Sequence, residues 1–196
     1  NAALEVFLEG GFLAATVDEI AATAHTSKRT VYHHFDDKTG LFRAAIRGTI
    51  APMQRSLADV IERAASHDAR SSLRGLVRGL MQIIVAPDVV RLRRVVIAEA
   101  DRFPDLAAEW YELGPAQTID RLERYLVRLD SAGEISVPDV RTAAEQLLWL
   151  TISTPLNRLM FAPSGTSEAS SELERVADAA FETFWTAFGR PQHHQR

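Results

Sequence analysis

The chain has 196 residues, 46% of them hydrophobic, and a formal net charge of −4 from 22 Lys and Arg against 26 Asp and Glu. That is enough apolar material for a sizeable core in one or two domains, and it excludes a protein coated in positive charge while leaving room for a local basic patch. The absence of cysteine excludes disulfides, cysteine-bound zinc and thiol catalysis, and no apolar run or leader pattern points to a membrane or to export, so a cytoplasmic protein is expected.

A helical pattern is already under way at Asn1, so the natural N-terminus is expected upstream. Leu4, Phe7 and Leu8 mark the inner face of this first helix. Gly10-Gly11 is expected to stop it, and Phe12 to pack back on the core. Thr16-Val17-Asp18-Glu19 reads as a capping box, with Thr16 bonding forward and Glu19 back. Val17, Ile20, Ala21 and Ala24 then share one face of a second helix. His25-Thr26 makes a turn, and Ser27 can cap a third helix running to Phe35. In that third helix Val31 and Phe35 point inward. Lys28, Arg29, Thr30, Tyr32, His33 and His34 occupy the other faces, and each can donate a hydrogen bond to a phosphate or a base edge. So short and polar a helix cannot hold itself together. Mounted on its neighbours by a tight turn, it reads as the second helix of a helix-turn-helix that enters the major groove of DNA.

Asp36-Asp37 is expected to cap a fourth helix, with Lys38 at its first turn and Leu41 and Ala45 facing in. Charge is segregated along this stretch. Residues 1–24 hold Glu5, Glu9, Asp18 and Glu19 and no Lys or Arg, whereas residues 25–47 hold Lys28, Arg29, Lys38, Arg43 and Arg47 against Asp36 and Asp37. The positive charge gathers where the polar helix would meet phosphate. The fourth helix is carried to about Ala65, with Pro52 kinking or re-capping it. Helices are expected over 69–85 and 89–101, separated by Ala86-Pro87-Asp88, with a further break at Arg102-Phe103-Pro104. Gly114-Pro115 should bend or split the next helix, which ends near 131. Asp139 opens a long helix to Phe161, and the last helix runs from about Glu168 to Phe188. Ala162–Thr166 is a loop, and residues 190–196 are expected to be a flexible tail. No β pattern or repeat is visible, so the fold class is all-α.

Residues 15–47 resemble the DNA-binding domain of TetR/AcrR-family transcriptional regulators. The resemblance lies in Thr16–Ala21, Thr26–Phe35, Lys38 and Leu41-Phe42, above all in Thr-Val-Tyr-His-His-Phe followed by Asp-Asp-Lys. Glu99–Leu106 looks like an AcrR-like C-terminal subgroup, and Gly40 departs from the family pattern. The resemblance implies a helix-turn-helix domain over 1–47 and a helical ligand-binding and dimerisation domain over 48–189. It implies a homodimer on a double-stranded DNA operator, and repression relieved by a small apolar or amphipathic molecule. It also sorts the contacts: Lys28, Arg29, Thr30 and His33 match base-facing positions, and Thr16, Ser27, Tyr32, His34 and Lys38 match positions near phosphates.

The remaining candidates are weighed against plainer readings. Met53, Met81, Phe103, Trp110, Tyr111 and Gln117 are candidates to line an effector pocket, with core packing as the alternative. Leu148, Ile152, Leu156, Phe181, Phe184, Trp185 and Phe188 make the last two helices apolar around much of their circumference, so a four-helix dimer interface is expected rather than one monomeric core. Arg91, Arg93 and Arg94 read as a salt-bridge face. His33-His34 beside Asp36-Asp37 point in different directions and make a poor chelate; no metal site or cofactor is expected. His193-His194 belongs to the tail. No nucleophile–base pair stands out, so an enzyme is not expected. The rival reading is an all-α small-molecule-binding or enzymatic bundle with no DNA role, and a third keeps DNA binding but makes the protein an activator.

Overall fold

The computed structural model describes residues 2–63, 68–163 and 166–190. Helices follow one another as α1 (Ala2–Ala14), α2 (Val17–Thr23), α3 (Lys28–His34), α4 (Lys38–Arg63), α5 (Ala69–Ile84), α6 (Pro87–Ala98) and α7 (Pro104–Tyr111). A π-helical turn at Glu112–Ala116 leads into α8 (Gln117–Ser131), and α9 (Val140–Phe161) and α10 (Ser170–Phe188) complete the order. The expected end of the fourth helix at Ala65, part of the 162–166 loop and the His193-His194 tail lie outside the described residues. Proline sets several of the boundaries. Pro87 and Pro104 open α6 and α7, and Pro115 falls in the π-helical turn, where the helical hydrogen-bond register changes as Gly114-Pro115 predicted. Pro52 and Pro155, in contrast, sit inside α4 and α9.

Two boundary expectations are corrected. The glycine pair breaks α1 but does not end it: Gly11 takes φ 72°, ψ 175°, and the helix resumes to Ala14. The left-handed φ suits glycine, and the extra turn carries Phe12 into the core. The capping box forms only its forward half. The Glu19 N–H donates to the Thr16 hydroxyl at 3.1 Å, and among the described residues Glu19 makes no return bond.

By backbone contacts the chain divides into two compact units, Asn1–Met53 with Arg91–Leu113, and Gln54–Val90 with Gly114–Arg196. The first unit is built on an aromatic cluster. Phe7 lies edge-on to Phe42 at 4.9 Å between ring centres, Phe12 to Phe42 at 5.0 Å, and Phe12 to Phe103 at 4.8 Å. Ile20, Ala21, Val31, Ile46, Leu92, Val96, Leu106 and Trp110 complete this core.

In the second unit α10 packs on α5 and α9, and α9 also on α8 and α5. Arg70 and Arg74 of α5 pair with Glu182 of α10, and Arg78 pairs with Asp178 at 2.6 Å. This packing bears on the residues expected at a dimer surface. Leu148, Ile152, Leu156, Phe181 and Phe184 are buried within the chain itself, and Trp185 and Phe188 are half-buried. An apolar circumference demands burial but does not say by which partner; here α5, α8, α9 and α10 bury one another. The residues that α9 leaves uncovered include Trp149, Leu150, Ser153, Thr154, Asn157 and Phe161, with Phe161 88% exposed. On α10 the uncovered residues include Ala179, Thr183, Thr186 and Ala187. Charged residues share both exposed faces: Arg158 on α9, and Glu174 and Arg175 on α10.

Candidate nucleic-acid interface

The helix-turn-helix assembles from α2, the turn at 24–27, and α3. The turn closes tightly: the Ala24 N–H donates to the Ile20 carbonyl at 2.9 Å, and the Thr26 N–H to the Ala21 carbonyl at 2.9 Å. Its corner is His25, a non-glycine residue held at φ 52°, in the region that L side chains rarely occupy. Ser27 caps α3 as predicted, accepting from the Thr30 N–H at 3.0 Å. The Ser27 and Thr30 hydroxyls also lie 2.8 Å apart and share a hydrogen bond. Val31 is buried and Phe35 half-buried, so they anchor the helix from beneath. Lys28, Arg29, Thr30, Tyr32, His33 and His34 are all exposed, as are Thr16 and Ser27. His34 also borders a groove of about 310 Å³, lined by Leu4, Ile20, Val31 and Leu41 among others. The groove places His34 on the shoulder of α3.

The five cations of residues 25–47 are not equally available. Arg43 and Arg47 stand one turn apart on α4, and Asp105 and Glu109 one turn apart on α7. Arg43 grips Asp105 through both terminal nitrogens, the second at 3.0 Å. Arg47 grips Glu109 through Nε at 2.7 Å and a terminal nitrogen at 2.7 Å. The Arg43 hydrogen bond holds the Asp105 carboxyl below the usual carboxylate range. Lys38, expected near a phosphate, braces the fold. Its ammonium donates to the Leu13 and Ala15 carbonyls at 3.3 and 2.9 Å and lies 4.6 Å from the centre of the Phe12 ring. It satisfies carbonyls at the end of α1 that have no intrahelical partner. Lys28 donates to the Asp18 carboxylate at 2.8 Å. Among the described residues this leaves Arg29 as the cation of the stretch with no ion-pair or hydrogen-bond partner. The net positive charge read from the sequence is therefore largely neutralised, and what α3 presents is one free guanidinium, hydroxyls and two imidazoles.

Asp18, Asp105 and Glu109 were not among the expected site residues. A signal for the last two was present, since acids one turn apart at 105 and 109 match arginines one turn apart at 43 and 47. Sequence separation hid the pairing.

The family model described as bacterial regulatory proteins, tetR family, matches residues 1–45. A second, the C-terminal domain of AefR-like transcriptional repressors, matches residues 71–190. The chain belongs to the TetR family. A TetR-family transcriptional regulator from Mesorhizobium loti MAFF303099 is 32% identical, with a TM-score of 0.90 over 96% of this chain and 94% of that one. The flavonoid-responsive regulator FrrA is 30% identical, with a TM-score of 0.71 over 97% and 94% of the two chains. The HTH-type transcriptional repressor Rv1474c of Mycobacterium tuberculosis is 28% identical over 127 residues, 63% of this chain and 62% of its own length. The match to that curated relative thus spans about three-fifths of its length.

In this TetR-family chain the six candidates for an effector pocket divide between the two units, Met53, Phe103, Trp110 and Tyr111 in the first and Met81 and Gln117 in the second. Phe103 and Trp110 are buried in the aromatic core of the first unit, and Met81 is fully buried on α5 in the second. Met81 also lines a small cavity with Arg78, Gln82 and Leu173. Met53 and Gln117 are half-buried and Tyr111 is exposed. Around the π-helical turn, the Gln54 side chain donates to the Gly114 carbonyl at 3.2 Å, and Arg121 donates to the Gln54 backbone carbonyl at 2.9 Å. No described helix is long and apolar enough to cross a membrane, and no described group of acidic or histidine side chains could hold a metal ion.

Proposed function

We propose that this chain is a homodimeric repressor of transcription that binds a two-fold operator through α3 and leaves it when a small apolar or amphipathic molecule binds. The observation that carries the reading is the exposed, capped α3, which offers the free Arg29 beside Thr30, Tyr32 and His33. An arginine suits guanine, because its two donors match the O6 and N7 acceptors. Residues 1–47 act as the reading domain and 48–189 as the effector and dimer domain. The Arg43–Asp105 and Arg47–Glu109 pairs tie α7 to the base of α4, which makes α7 the element through which an effector acts on the reading head.

The large apolar side chains exposed on α9 and the small ones exposed on α10 support the dimer. Trp149, Leu150 and Phe161 offer apolar area, and Ala179, Thr183 and Ala187 allow close helix approach. These residues replace the buried set as the proposed interface. Two reading heads would then occupy successive major grooves about 34 Å apart. An effector releases DNA only if it binds a different spacing better. Similarity to FrrA makes flavonoids the first effectors to try. A regulator of a bacterial chromosome works in the cytoplasm.

The test is selection of bound duplexes from a random pool, followed by binding at 50 and 200 mM salt. A palindromic consensus with steep salt dependence is expected. No binding to any duplex at low salt would defeat the reading and favour a bundle without a DNA role.

A further inference from the structure

Asp18 stands second in α2, outside the residues expected to touch DNA, yet it holds the first residue of α3. The Lys28 ammonium lies 2.8 Å from its Oδ2, and the two side chains are 50% and 69% exposed. Both therefore sit on the open surface that carries α3. To reach a phosphate or a base, Lys28 must leave Asp18. It would leave behind an uncompensated carboxylate facing a polyanion.

That competition bears on specificity. A phosphate offers Lys28 little that Asp18 does not. A guanine offers two acceptors at fixed positions, O6 and N7. We propose that Asp18 is a specificity-determining residue: it withholds Lys28 from DNA that lacks a suitably placed guanine, and so weakens binding to random sequence more than binding to the operator. The pair is electrically neutral until the right site opens it. Non-cognate DNA thus gains no counterion release from Lys28. Discrimination is a difference of two affinities, and a group that lowers the wrong one is as effective as a contact that raises the right one.

This inference rests on the DNA-binding reading, and its test separates the two. Fluorescence anisotropy would compare the native chain, Asp18→Asn, and the double variant D18N/K28Q. Each is titrated with a duplex carrying the selected operator and with a scrambled duplex of the same composition, from 50 to 200 mM salt. Freeing one lysine should tighten scrambled-DNA binding roughly tenfold at 50 mM and steepen the salt slope by about 0.9 for each engaged subunit. The operator should gain less, so the operator-to-scrambled ratio falls. In D18N/K28Q the gain on scrambled DNA should vanish, since one neutral pair replaces another. Scrambled-DNA affinity unchanged in Asp18→Asn, an equal gain on both duplexes, or a gain that survives K28Q would each overturn the inference. Failure of the native chain to bind either duplex would instead defeat the functional reading itself.

Discussion

Tyr125→Phe isolates one atom whose environment the structure defines closely. Tyr125 of α8 is 2% exposed, and its hydroxyl has no hydrogen-bond partner among the described residues. Burial pushes the phenol up from 10.0 to about 12, opposed in part by the Arg128 guanidinium, which lies 5.5 Å from the ring centre. A buried hydroxyl without a partner costs about 1–3 kcal/mol. Phenylalanine keeps the ring and removes the oxygen, at the expense of a void about one atom in size. The variant should therefore be about 1 kcal/mol more stable at pH 7.5. The pH dependence follows from the direction of the shift. The folded pKa is raised above the unfolded one, so the contribution of the neutral phenol is complete below pH 10 and is lost as pH rises toward 12. The loss reaches about 1.4 kcal/mol at pH 11, with an upper bound of about 2.7 kcal/mol above pH 12. Urea denaturation followed by circular dichroism at pH 7.5 and pH 11 measures both effects, with the midpoint read at constant m value. The stability gap between variant and native chain should widen from about 1 to about 2.4 kcal/mol. A variant less stable than the native chain at pH 7.5, or a gap that does not widen, would refute the reasoning by showing that the hydroxyl is paired.

His25→Gly removes the side chain from the left-handed corner of the helix-turn-helix. The strain relieved is about 1–2 kcal/mol and the entropy cost of glycine about 0.5–1 kcal/mol, so a gain of roughly 0.5–1 kcal/mol is expected in thermal melts; a loss would mean that the imidazole holds a partner. Leu150→Glu and Leu148→Ala separate the two kinds of apolar residue on α9. The first places like charges across a two-fold axis and removes two buried leucines per dimer, about 3–6 kcal/mol, so sedimentation should show monomers that remain folded. The second should leave the dimer intact and cost about 2–5 kcal/mol of unfolding stability. The reverse pattern would return the interface to the buried set.

Much of the reading head was legible because its signals are local. Ser27, Asp37 and Asp139 each accept a bond from a backbone N–H three residues on, a pattern that needs only a short polar side chain before a helical run. The breaks at Pro87, Pro104 and Gly114-Pro115 were equally local. Partner choice was not. Lys38, read as a phosphate neighbour, and Lys28, read as facing bases, have partners in the fold that the sequence did not announce: the Leu13 and Ala15 carbonyls and the carboxylate of Asp18. Arg43 and Arg47 meet acids 62 residues away, which no window of periodicity reaches. The choice between core and dimer surface was hidden for a related reason. The apolar circumference of α9 showed that the helix is covered, but Leu148 and Ile152 are covered by the chain's own helices. The exposed remainder at Trp149, Ser153, Asn157 and Phe161 stood out only after those faces were filled.

The central claim is that α3 reads DNA through its free guanidinium. Arg29→Ala, titrated by fluorescence anisotropy against the selected operator duplex and its scrambled counterpart, tests it most directly. Loss of one arginine–guanine contact should weaken operator binding by about 1–3 kcal/mol, roughly 5- to 150-fold, and relax the preference at one base position in each half-site. Operator affinity and sequence preference equal to those of the native chain would contradict the account.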